Sequence, residues 1–142
     1  MSVLVDTCIW SLALRRRDPA VLSARERKLV RAWTDLVRER RAVLIDPVAY
    51  EFLCGLKSEE QFERFVDDLL DYETIALARR DYIQAARFVN TLIGKGVAAT
   101  IVDLVICAVA YRLDMEIFTT DGDFVNYAKY LPIKLYDPHE NR

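Results

Sequence analysis

Short runs of consecutive apolar residues alternate along the chain with longer stretches in which apolar residues recur every three to four positions, the signatures of buried strand and amphipathic helix. Ser2 to Val5 is a β-branched apolar run ending at Asp6, and a helix follows from Thr7, whose hydroxyl is placed to cap it. Ser23-Ala-Arg-Glu26 has the form of a capping box, and Leu29, Val30, Trp33, Leu36 and Val37 follow at helical spacing, so a second helix runs to about Arg40. Ala42 to Ile45 reads as a strand. Pro47 suits the first turn of a helix that carries Val48, Glu51, Phe52 and Leu53 and stops near Gly55.

Further helices are expected over about Ser58 to Leu70, with Phe62, Phe65, Val66, Leu69 and Leu70 on one side, over Asp81 to Ile93, over Thr100 to about Leu113, and over Phe124 to Tyr130. Gly94-Lys95-Gly96 reads as a mobile loop. Short strands are expected at Thr74 to Leu77, Glu116 to Thr119 and Ile133 to Tyr136. Strands that are short, apolar throughout and separated by helices imply an α/β fold with a parallel sheet covered on both faces.

The 142 residues, 53% hydrophobic, suffice for a single domain spanning residues 1–142 with one core. A net charge of −2 announces no polyanionic partner, but the charge is unevenly spread. Ser11 to Arg41 holds ten basic and four acidic residues, whereas Glu51 to Thr74 holds eight acidic and two basic ones. Solvated helix faces account for most of these; a basic arm beside an anion-binding cleft matters only if such a cleft exists. Cys8, Cys54 and Cys107 form no C-x-x-C pair and read as small core residues, not as a disulfide framework or zinc site. No secretory or membrane-spanning pattern is visible, so a cytoplasmic protein is expected.

In a parallel sheet, ligands collect outside the carboxyl ends of the strands. Asp6 lies at the end of the first strand, and Asp121 and Asp123 lie just past the strand ending at Thr119. Any one Asp there is adequately explained by turn or cap chemistry. Asp103, in Thr-Ile-Val-Asp-Leu-Val-Ile-Cys, would be costly to bury unpaired; either it completes a cap begun by Thr100, or a cation neutralises it, or both. Glu51, between Tyr50 and Phe52, poses the same question. Together these carboxylates make a hard, all-oxygen donor set of the kind that holds magnesium or manganese. The only histidine is His139, which excludes a paired-histidine ribonuclease, and no phosphate-binding glycine loop or nucleophile elbow occurs.

Val3-Leu-Val-Asp6-Thr-Cys-Ile-Trp10, Pro47-Val-Ala-Tyr-Glu51-Phe-Leu-Cys-Gly55, Asp103-Leu-Val-Ile-Cys-Ala-Val-Ala110 and Phe118-Thr-Thr-Asp121-Gly-Asp123-Phe124 resemble, in order, the four signature segments of PIN-domain proteins of the VapC type, the toxins of toxin–antitoxin pairs. The resemblance implies a PIN-like three-layer α/β/α fold with five parallel strands in the order 3-2-1-4-5. It also implies magnesium- or manganese-dependent endoribonuclease activity on an RNA substrate, and a homodimer inhibited by a VapB-type antitoxin. Carried onto this chain, Asp6, Glu51, Asp103 and Asp121 are the acidic quartet, Asp123 supports them, and the hydroxyls of Thr7 and Thr119 orient them. Cys8 is a departure, since relatives commonly have Ser or Asn at this position.

On this reading Asp6, Asp103 and Asp121 ligate metal, and Glu51 binds a second ion or orients the attacking water. Arg15, Arg16 and Arg17 are the leading RNA contacts. The competing reading is a metal-binding interaction module with little catalysis. A small metal phosphatase is a third, weakened because Asp6 opens no D-x-D-x-T pattern.

Overall fold

The structure is a computed structural model that describes residues 1–15 and 18–139. Arg16 and Arg17, two of the three expected RNA contacts, therefore lie outside the described residues. Among those described, five strands and seven α-helices alternate: β1 (Val3–Val5), α1 (Thr7–Arg15), α2 (Ala24–Arg38), β2 (Ala42–Leu44), α3 (Asp46–Cys54), α4 (Glu59–Asp68), β3 (Glu73–Thr74), α5 (Arg79–Gly94), α6 (Ile101–Leu113), β4 (Glu116–Phe118), α7 (Asp123–Ala128) and β5 (Lys134–Leu135). The strands form one sheet in the order β3-β2-β1-β4-β5, with every neighbouring pair parallel.

Two crossovers step from β1 towards β3, and the chain then returns past β1 to β4 and β5. With right-handed crossovers this puts α1 to α4 on one face of the sheet and α5 to α7 on the other. The packing agrees: α1 rests on α2 and α3, and α5 on α6. Trp10 of α1 meets Trp33 of α2 and Tyr72 edge-on in the first layer, while Phe88 of α5 meets Tyr111 of α6 in the second. The central strands β1 and β2 are buried at every position, as their unbroken apolar runs require. Seven successive residues of α6, Leu104 to Ala110, are buried, so this helix is apolar nearly all round.

Several local expectations change. The glycine pair straddles the end of α5: Gly94 is the last helical residue, and Gly96, at φ +72°, sits in the left-handed conformation that closes the helix and opens the connection to α6. There Gly96 N–H donates to Ile93 (3.0 Å) and Val97 N–H to Leu92 (2.9 Å), the paired bonds of a Schellman end. β3 is only two residues long and starts a residue early, and α5 starts at Arg79 because the Asp81 carboxylate accepts the Ala78 N–H (3.0 Å). Of the cysteines, only Cys107 is buried; Cys54 is exposed and Cys8 lines the cleft described next. No helix among the described residues is long and apolar enough to cross a membrane.

Candidate active site

β1 is the strand at which the order reverses: its neighbours β2 and β4 are reached by crossovers on opposite faces, so the layers part beyond its carboxyl end. A cleft of about 480 Å³ opens there, lined by Asp6, Thr7, Glu51, Asp103, Asp121 and Asp123. The sheet and three helices thus gather the four expected acids and Asp123 into one space.

Asp6 is 6% exposed and fully engaged. Its Oδ1 accepts the Thr7 N–H (2.7 Å) and its Oδ2 the Thr119 hydroxyl (2.7 Å). It, and not Thr7, occupies the capping position of α1, its backbone carbonyl taking the Ile9 N–H (3.1 Å). The Thr7 hydroxyl is thereby free to donate across the cleft to Glu51 Oε1 (2.7 Å), tying α1 to α3. Thr119 works in both directions, donating to Asp6 and accepting the Asp121 N–H (3.0 Å), so one hydroxyl couples the ends of β1 and β4. Asp121 in turn accepts the Asp123 N–H (2.9 Å) at the start of α7.

Asp103 resolves the two readings of its position. Thr100 accepts the Asp103 N–H (3.2 Å), so the cap exists, and the Thr100 side chain also favours the ionised carboxylate. The Asp103 Oδ2 in addition accepts the Tyr127 hydroxyl (2.9 Å) from α7. Burial pushes the Asp103 carboxyl up to about 6, with the charges of Asp6 and Asp121 adding to the rise and the Tyr127 bond opposing it. Asp6 is raised too, chiefly by burial and partly by Glu51, against the pull of its hydrogen bonds. Ligand oxygens of Asp103, Asp121 and Asp123 come within 4.8 Å of one another, so the tightest trio includes Asp123, expected only to support, in place of Asp6. Several buried or crowded carboxylates facing one cavity repel one another, and a divalent cation held by oxygen donors is the species that relieves that repulsion. The donor set fits magnesium or manganese.

Two further side chains take part in the site: Tyr127, which no sequence signal marks, and Cys8, noted in the sequence only as a departure from the resembled proteins. Tyr127 is 1% exposed, its ring packed on Phe124 with centroids 5.2 Å apart, so the hydroxyl it offers Asp103 is held in place. Burial first, and then Asp103, raise its phenol above the ordinary range, so it stays a donor. Nothing in a short amphipathic helix distinguishes this tyrosine from a core aromatic; only its approach to α6 does. The second is Cys8, whose sulfur lies 3.6 Å from Asp6 Oδ2 and accepts the Thr120 N–H and hydroxyl, each at 3.4 Å. Burial and the charge of Asp6 raise its thiol, so it stays a neutral S–H.

Arg15 stands at the rim. It donates from Nη2 to the Phe52 carbonyl (2.7 Å) at the end of α3, and its guanidinium lies 4.9 Å over the Phe52 ring. Gly55 makes this approach possible: a Cβ there would fall 2.1 Å from the Arg15 Nη2. The described arginine of the expected trio is thus a fixed cation at the cleft wall.

A sequence profile described as PIN domain matches residues 3–130. No curated protein is matched significantly by sequence. Among solved structures, FitAcB from Neisseria gonorrhoeae superposes with a TM-score of 0.73 at 16% identity, covering 97% of this chain and 99% of that one. VapBC2 from Rickettsia felis, bound to a DNA fragment from its promoter, gives 0.73 at 18% identity over 96% and 98%. A toxin–antitoxin complex from Klebsiella pneumoniae gives 0.69 at 18% identity over 99% and 100%.

Proposed function

The chain belongs to the PIN domain family, and from that premise we propose that it is a magnesium- or manganese-dependent endoribonuclease, the toxin of a toxin–antitoxin pair. PIN domains are generally nucleases. The observation that carries the reading is the concentration of Asp6, Glu51, Asp103, Asp121 and Asp123 in one cleft at the sheet's switch point, with three of them close enough to share an ion.

In this reading Asp103, Asp121 and Asp123, with Asp6 beside them, hold the metal. When bound, a divalent cation supplies an activated water and neutralises charge that builds on the phosphate during cleavage. Asp6 is fixed in orientation by Thr7 and Thr119, so its geometry is set before metal or substrate arrives. Glu51, held by the Thr7 hydroxyl, orients the attacking water in line with the leaving oxygen and takes its proton. Tyr127 keeps Asp103 ionised against its neighbours.

An antitoxin partner of the VapB type is supported by the toxin–antitoxin assemblies among the structural neighbours. A homodimer acting on RNA in the cytoplasm completes the proposal. Its test is to incubate the purified chain, free of any antitoxin, with structured RNAs and magnesium or manganese, beside an Asp6→Asn variant. Cleavage that requires the metal and is lost in the variant is expected. Cleavage that survives EDTA or the substitution overturns the proposal, and intact RNA throughout favours a metal-binding interaction module.

A further inference from the structure

A second cavity, of about 530 Å³, lies between α1 and the amino end of α2 and shares the wall formed by Cys8, Ser11 and Arg15 with the acidic cleft. Its remaining polar lining is Arg25, Thr120, which is next to Asp121, and Glu26, whose Oε1 accepts the Ser23 N–H (3.0 Å) in the cap of α2. Resting on the nuclease reading, we propose that this cavity is the subsite for a backbone phosphate of the RNA flanking the cleaved bond, with Arg25 as its principal cation.

Three features support it. The acidic cleft has five carboxylates and one cation in its lining, Arg15, so a polyanion reaching the metal needs compensation immediately outside. The adjoining cavity supplies it: among the described residues no hydrogen bond or ion pair engages the Arg25 guanidinium, whereas Arg15 already spends an N–H on the Phe52 carbonyl. A free guanidinium presents the planar donor fork that matches phosphate oxygens. Ser11 adds a hydroxyl on the wall between this cation and the acids, a sequence-independent donor suited to the sugar–phosphate chain. The exposed acidic side of α4, with Glu59, Glu60 and Glu63, makes the opposite route unfavourable for the same polymer.

The experiment measures binding of a labelled stem-loop RNA in magnesium to the full chain carrying Asp6→Asn, so that bound RNA survives, and to the same chain with Arg25→Gln, Arg25→Lys or Lys28→Gln added. Lys28 is an exposed cation on the same helix outside the cavity, an equal-charge control. Arg25→Gln is expected to weaken binding about 3- to 10-fold and to lower the slope of log affinity against log salt by about 0.7, the value of one phosphate contact on a single strand. Arg25→Lys recovers part of the loss, Lys28→Gln stays within about twofold, and Mn²⁺ binding to the otherwise unsubstituted chain is the same with and without Arg25→Gln. Equal effects of Arg25→Gln and Lys28→Gln, or no effect of either, overturn the subsite. So does Arg25→Gln that leaves RNA binding intact but weakens capture of an antitoxin protein, which would assign the cavity to that partner. Failure of the unsubstituted chain to cleave RNA with Mn²⁺ overturns the nuclease reading itself, and the subsite with it.

Discussion

Replacing Tyr127 by Phe removes one hydroxyl from a residue whose ring is otherwise unchanged in the core, and it isolates the hydrogen bond that holds Asp103 ionised. A bond to a charged acceptor contributes about 1.5–3 kcal/mol, and the open cleft places this one at the low end, since solvent screens it. One pKa unit corresponds to ~1.4 kcal/mol, so the Asp103 carboxyl should move from about 6 to about 7. At pH 7 the protonated fraction then rises from roughly a tenth to roughly a half. Metal binds the ionised form, so affinity climbs with pH through the carboxyl's range, and the protonation part of the variant's deficit should grow as pH falls, to about threefold at pH 6.5, and vanish by pH 8.5. Lost orientation adds a part that pH does not repair. The expected result, by calorimetry or Mn²⁺ electron resonance, is about tenfold weaker binding at pH 6.5 and about threefold at pH 8.5. Stability should fall by about 1.5 kcal/mol where Asp103 is ionised. Unchanged Mn²⁺ affinity across that range refutes the argument, and a deficit constant with pH leaves only the orientation effect.

Other substitutions test other links. Asp81 of α5, 1% exposed, receives two donors from Arg112 of α6, at 2.6 and 3.0 Å; burial would raise its carboxyl, but the guanidinium bonds and the Ala78 N–H outweigh it and hold it below the ordinary range. Arg112→Ala strands this carboxylate and should cost about 3–5 kcal/mol by urea unfolding, more than Asp81→Ala, which leaves a guanidinium already 21% exposed and able to turn to solvent. Because a depressed Asp contributes stability that is present above its unfolded value and lost as pH falls through the folded one, the pair's contribution should fade only under strong acid. Asp103 has the opposite sign: its raised carboxyl favours the fold most below about pH 4 and loses that advantage as pH rises through about 6. Metal-free Asp103→Asn should therefore be more stable than the parent at pH 8, by ~1–2 kcal/mol after screening, and should no longer be stabilised by Mn²⁺; a parent that melts at the same temperature at pH 5 and pH 8 contradicts this. Gly55→Ala should displace Arg15 from the Phe52 carbonyl, costing about 1 kcal/mol in thermal unfolding, and a variant as stable as the parent would show that the contact is dispensable.

A parallel sheet covered on both faces was legible because apolar runs such as Val3 to Val5 and Ala42 to Leu44 admit few alternatives to a buried parallel strand, whereas the strand order came only with the resemblance that the four acidic segments carried. The edge strands were less so. Glu73–Thr74 is exposed and two residues long, so its pairing comes from Leu44 beside it and not from its own pattern. At the site, position in sequence named the acids, and the resemblance named Thr7 and Thr119 as their orienting hydroxyls, but not which acid each would serve. Thr7 was expected to cap α1, and Asp6 took that role because its carboxylate also reaches the Thr7 N–H, which sent the threonine hydroxyl to Glu51, 44 residues away. The contact of Tyr127 with Asp103 and the pairing of Asp81 with Arg112 depend on how neighbouring helices of one layer meet, a property that no single segment encodes.

The central claim is that this acid cluster binds a divalent metal and cuts RNA through it. Titrating Mn²⁺ into the EDTA-stripped chain while following cleavage of a labelled structured RNA, beside Asp121→Asn, tests it most directly. Cleavage should appear only as metal is added, saturate with it, and fall by about 10²-fold or more in the variant. Cleavage in EDTA, or equal rates for parent and variant, would contradict the account.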